Sequence, residues 1–146
     1  MTALEETALE EASIDAGLHR FVYRLEVIGS FFDDSRREGE VLTRILFENP
    51  QNKLATEVLL KNLCKARKLA LLEMQDQGQI ELPHNVDQLA RILSSVTWGT
   101  VLFHYRGELP TKRMKKELVR ASLTTVLPYA TTDEIKNQMT RIINSK

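Results

Sequence analysis

Apolar residues recur at three- and four-residue steps along most of this chain, the spacing that puts them on one side of an α-helix. Leu18, Phe21, Val22, Leu25, Ile28 and Phe32 form one such stripe and predict a helix over 15–35. Gly39 is read as a break, after which Val41, Leu42, Ile45 and Leu46 predict a short helix over 40–48 with these residues facing inward. Asn49 and Pro50 then suit a helix entrance, because the N–H that proline lacks would have had no partner in a first turn. From there Leu59, Leu60, Leu63, Ala66, Ala70, Leu71 and Met74 sustain the period as far as Gln77, and Gly78 supplies a left-handed cap.

Asn85 and Gln88 form a capping pair that opens a helix running to Tyr105 and ended by Gly107. Met114, Leu118, Ala121, Leu123, Val126 and Leu127 predict a helix over 110–129, with Pro128 near its end, where a broken ladder costs least. Thr131 and Glu134 are spaced to cap a last helix over 132–144, amphipathic through Ile135, Met139, Ile142 and Ile143. Thr2 and Glu5 do the same for a short first segment over 3–13. The expectation is an all-α bundle of about seven helices, with residues 1–146 as one domain.

One segment departs from simple amphipathicity. Val96, Trp98, Val101, Leu102, Phe103 and Tyr105 go almost all the way round the helix cylinder, so two sides of it call for cover. Its own core can take one side and a second copy of the chain the other. A central helix wholly enclosed in a monomer is the rival reading, because all-round apolarity reports burial and not what does the burying.

Composition narrows the function classes. Twenty Lys and Arg balance twenty Asp and Glu, so the molecule as a whole lacks the positive field with which nucleic-acid proteins neutralise phosphates. The basic group Lys112, Arg113, Lys115 and Lys116 stands at a helix start, where positive charge opposes the helix dipole. It has no interleaved aromatics and is flanked by Glu108 and Glu117, as expected of a solvated face. No stretch reaches the roughly 18 consecutive apolar residues that argue for a bilayer span. The first fifteen residues carry Glu5, Glu6, Glu10, Glu11 and Asp15 and no basic residue, which excludes a signal or transit peptide there. The single cysteine, Cys64, forbids an internal disulfide framework and fits a reducing, cytoplasmic setting.

Catalytic patterns are missing. His19, His84 and His104 lie far apart, with no metal-ligand spacing, and the six glycines form no phosphate-cradling loop. Ser94 and Ser95 lack the glycine-flanked turn that exposes a hydrolase nucleophile. Cys64 sits in an apolar period, as a small buried hydrophobe would. The expectation is therefore a protein that is not an enzyme and holds no metal or cofactor.

The order of the segments carries a family resemblance. In the stretch Phe47–Tyr105 a long helix ends in a Gln-Gly turn at Gln77 and Gly78, a short hydrophobic step at Ile80 leads to Pro83, and the Asn85 cap starts an apolar helix. This pattern resembles the regulatory half of tetracycline-repressor (TetR) family transcription regulators, and the similarity extends over about 18–129. Nothing here matches the family's N-terminal helix-turn-helix, so direct contact of this chain with nucleic acid is not implied.

The resemblance implies a homodimer in which the helices over 85–105 and 110–129 pair with their twofold mates. The interface expected on these helices is Val96, Gly99, Phe103, Leu118, Ala121, Ser122 and Thr125, with small residues such as Gly99, Ala121 and Ser122 permitting close approach. It also implies a cavity for a small, mostly apolar ligand lined by Phe21, Leu25, Phe32, Leu63, Met74 and Trp98, with Arg67 or His104 as an orienting group. Each of these is equally a plain core position, which leaves a second reading: a non-enzymatic interaction module with a filled core.

Overall fold

Seven segments of regular structure, all helical, order the residues that the computed structural model describes, which are 17–47, 53–82, 84–107 and 113–145. They are α1 (Leu18–Asp34), α2 (Arg36–Phe47), α3 (Lys53–Asp76), α4 (Val86–Tyr105), α5 (Met114–Val126), a 3-10 turn (Leu127–Tyr129) and α6 (Asp133–Ile143). The all-α bundle expected from periodicity is the fold observed. The segment 3–13 with its Thr2 and Glu5 pair, the Asn49–Pro50 entrance, Pro110 and Lys112 lie outside the described residues.

α5 is the centre of the bundle, packed against α1 on one side and α4 on another, while α3 lies along α4 and α6 closes over α5. The predicted stripe of α1 is its buried face, with Leu18, Phe21, Leu25, Ile28 and Phe32 all in the core. The turn after α3 is tied to the start of α6 by an isolated bridge between Ile80 and Ala130. There Glu81 N–H donates to the Tyr129 carbonyl at 2.9 Å and Thr131 N–H to the Gln79 carbonyl at 3.1 Å. No described helix is long and apolar enough to cross a membrane.

Capping is partly local and partly supplied by distant residues. Asn85 accepts from Gln88 N–H at 3.0 Å, and Gly78 and Gly107 have the positive φ expected of them. By contrast, α1 begins after Gly17 at φ 90°, and its Leu18 N–H donates to Gln79 Oε1 at 2.7 Å, 61 residues away. α5 has no side-chain cap of its own; Asp33 from α1 accepts from Met114 N–H at 3.3 Å and Lys115 N–H at 3.2 Å. A carboxylate there satisfies two orphan donors and opposes the positive end of the dipole. Its negative charge also offsets Arg113, Lys115 and Lys116, all solvent-exposed.

Three sequence expectations are corrected. The break before α2 is at Ser35 and not at Gly39, which lies inside the helix. Gly39 is small because Phe32 crosses it: a Cβ there would stand 2.9 Å from Phe32 Cδ1. The cap of α6 is Thr132, which accepts from Ile135 N–H at 3.2 Å, whereas the Thr131 hydroxyl donates to the Gly78 carbonyl at 2.6 Å. Val41, expected inside, is exposed, because α2 is covered mainly through Leu42, Thr43 and Ile45.

Candidate functional site

The residues expected to line a ligand cavity come together in the core. Phe21, Leu25 and Phe32 from α1, Leu63 and Met74 from α3 and Trp98 from α4 belong to one contiguous cluster of buried apolar side chains. The periodicities of three helices converge there because each turns its stripe toward the same interior. Arg67 shares the buried face of α3 and is 0% exposed. A guanidinium out of water is costly unless paired, and Arg67 retains a partner within the fold. His104 stands near the end of α4, half-buried, on the side that carries Thr97 and Val101. Its Nδ1 is buried without a hydrogen-bond partner among the described residues.

The other polar groups of this interior are satisfied locally. Ser94 donates to the Ala90 carbonyl at 2.8 Å and Thr97 to the Leu93 carbonyl at 3.0 Å, so both hydroxyls are bound to their own helix. Ser94 is thereby not poised as a nucleophile, and no cluster of three or more metal-ligating side chains occurs among the described residues. What the interior offers chemically is aliphatic and aromatic wall with few polar contacts, the make-up of sites for apolar molecules and of ordinary cores alike.

Ion pairs fasten the walls. Glu73 on α3 meets Arg24 Nη2 at 3.5 Å and Arg20 Nε at 3.7 Å, joining α3 to α1, and Lys68 meets Asp87 at 2.9 Å, joining α3 to α4. Arg24 is itself buried, so the contact made there is the one with least competition from water.

The residues expected at a dimer face divide. Val96, Gly99 and Phe103 lie on the outward side of α4 together with Ile92, at steps of four, three and four. Phe103 is 59% exposed, and a Cβ built on Gly99 would meet nothing within 4 Å among the described residues. Ala121 and Thr125 on α5 are half-buried. Leu118 and Ser122 are instead fully enclosed by their own subunit, on the face of α5 that serves the core. The resemblance groups them with the outward residues, but packing within the subunit turns this face of α5 to the core. Ile92, exposed on the same stripe, was missed, though its four-residue spacing from Val96 was readable.

A shallow, open depression absent from the sequence expectations lies outside α1, ≈ 410 Å³ in volume, lined by Tyr23, Val27 and Phe31 together with Glu26, Asp34 and Lys115. The signal for it was a second apolar row on α1, at four-residue steps beside the main stripe. Comparison with protein-family models, curated proteins and solved structures gives no significant match to this chain.

Proposed function

We propose that this chain is a ligand-responsive, dimerising regulatory domain of the TetR type, sensing a small and mostly apolar molecule, with no catalytic role. The observation that carries the reading is the outward stripe Ile92, Val96, Gly99 and Phe103 on α4, a helix whose opposite side is already in the core. An exposed phenylalanine beside a glycine with free space above it suits close helix approach from a second copy, with Ala121 and Thr125 of α5 alongside. A ligand that binds one packing of the bundle better than another shifts the population, and a dimer transmits that shift to whatever it is joined to.

The tight burial of the predicted lining residues supports a second reading, an interaction module with a filled core. Thermal melts across a library of hydrophobic small molecules separate the two, since a ligand at a hundredfold excess over its dissociation constant stabilises by about 2.7 kcal/mol. A response from some compounds is expected; a flat response throughout favours the filled core.

Sedimentation at micromolar concentration tests the dimer. The wild-type chain is expected at twice its monomer mass, and Gly99→Leu and Phe103→Glu at monomer mass with unchanged helix content. Because no described residue stands within 4 Å of a Cβ at Gly99, the leucine is expected to act on a partner and not on the fold. A wild-type monomer would refute the reading.

A further inference from the structure

A second exposed face lies on α3, on the side turned away from the buried Leu63, Ala66, Arg67 and Ala70. Leu54, Val58, Lys61, Lys65, Lys68 and Leu72 follow one another there at steps of four, three, four, three and four. Leu54 is 75% exposed and Val58 51%, while Leu69, at 47%, stands beside Lys68. A mean step of about 3.5 residues is the period at which two helices stay in contact as they wind round each other. From Leu54 to Leu72 the row runs about 27 Å, the length of a partner helix of about five turns. Its middle is basic. Lys68 is engaged by Asp87 of α4 at 2.9 Å, but Lys61 and Lys65 have no ion-pair partner among the described residues. Glu57 and Asp76 are the acidic groups on the exposed side of the helix, one near each end.

The spacing selects a helix as the occupant, and the charge selects its composition. Packed on itself over its whole length, the row would set Lys61 against Lys65 of a second copy in an antiparallel pair. In a parallel pair each lysine would face its own counterpart. Like charges opposed across a contact cost affinity, so the row works against a second copy and for a partner that carries carboxylates at those positions. Lysine stems lie along apolar surface while their ammonium groups reach the edge of the contact, where such carboxylates would meet them.

We propose that the outer face of α3 docks an amphipathic helix of another protein, apolar at both ends of its contact row and acidic at two successive positions in the middle. Leu54 and Val58 at one end and Leu69 and Leu72 at the other supply apolar contact. Lys61 and Lys65 between them fix the register and the choice of partner, as polar groups in a helix seam do. The inference stands apart from the dimer reading, because it concerns a different helix.

The test is a titration of the isotope-labelled full-length chain with a synthetic helical peptide that has leucine along its seam and glutamate at the two central seam positions. A control peptide has lysine at those two positions. The glutamate peptide is expected to shift the amide signals of Val58, Lys61, Lys65 and Leu69 and to leave those of Ile92 and Phe103, with the control at least about tenfold weaker. Lys61→Glu together with Lys65→Glu should reverse that preference. Both lysines are solvent-exposed, and circular dichroism checks that the double variant keeps its helix content. Unmoved α3 signals with the glutamate peptide would overturn the proposal, and so would equal binding of the two peptides. Signals of α3 that move on dilution of the protein alone would overturn it in favour of a second copy. The same signals moved by phosphatidylserine vesicles and not by the peptide would overturn it in favour of a lipid surface.

Discussion

Replacing Gly29 with alanine puts a single methyl group into the crossing of α1 and α5. The added Cβ would lie 2.3 Å from Lys115 Cα and 2.9 Å from Lys115 N, and these are backbone atoms that no rotamer change can move aside. An ordinary carbon contact needs about 3.5–4.0 Å, so the helices must part by more than an ångström. Parting them stretches the two bonds from Asp33 to the first turn of α5, already 3.3 and 3.2 Å long. Overpacking of this kind costs about 1–3 kcal/mol, and a lost cap adds about 1 kcal/mol. The better helix propensity of alanine returns up to about 1 kcal/mol. The net expectation is a loss of about 1–3 kcal/mol, a large part of the total stability of about 5–15 kcal/mol typical of a domain. Urea unfolding followed by circular dichroism, at one protein concentration, reads it as a lower midpoint with an unchanged slope. An equal or higher midpoint for Gly29→Ala would show that α1 and α5 do not cross this closely.

Two further substitutions test the capping. Asp33→Ala is expected to lower stability by about 1 kcal/mol by leaving two amides of α5 unsatisfied; an unchanged urea midpoint would remove Asp33 from that role. Arg120 donates from Nε to the Ile143 carbonyl at 2.9 Å and from Nη2 to the Ser145 carbonyl at 3.3 Å, holding the end of α6. Arg120→Ala should therefore speed amide hydrogen exchange in the last turn of α6 while leaving α3 unchanged, and uniform acceleration throughout would instead indicate global destabilisation.

Much of the fold was legible because helix formation leaves a local signature. The stripe on α1 became the buried face of α1, and the Asn85, Gly78 and Gly107 boundaries fell where backbone hydrogen bonding requires a cap or a left-handed residue. Gly39 misled because a glycine serves two purposes that look alike in sequence, ending a helix or admitting a neighbour, and here the neighbour is Phe32. The candidate ligand residues were legible as interior positions, but core and cavity wall share one pattern. For the dimer face, the resemblance points to Leu118 and Ser122 along with Ala121, and only packing on α1 and α4 puts Leu118 and Ser122 inside.

By itself the sequence determined that the chain forms helices, roughly where they start and stop, and which stripe of each avoids water. These follow from interactions within a few residues along the chain. The tertiary structure alone decided that Asp33 caps α5 across 81 residues, that Gln79 caps α1 across 61, and that Gly29 lets two backbones touch. It also left the rows through Phe103 and Leu69 open to solvent. Such features depend on which helix lies against which, a choice made by the combined packing of all the stripes and written in no single one of them.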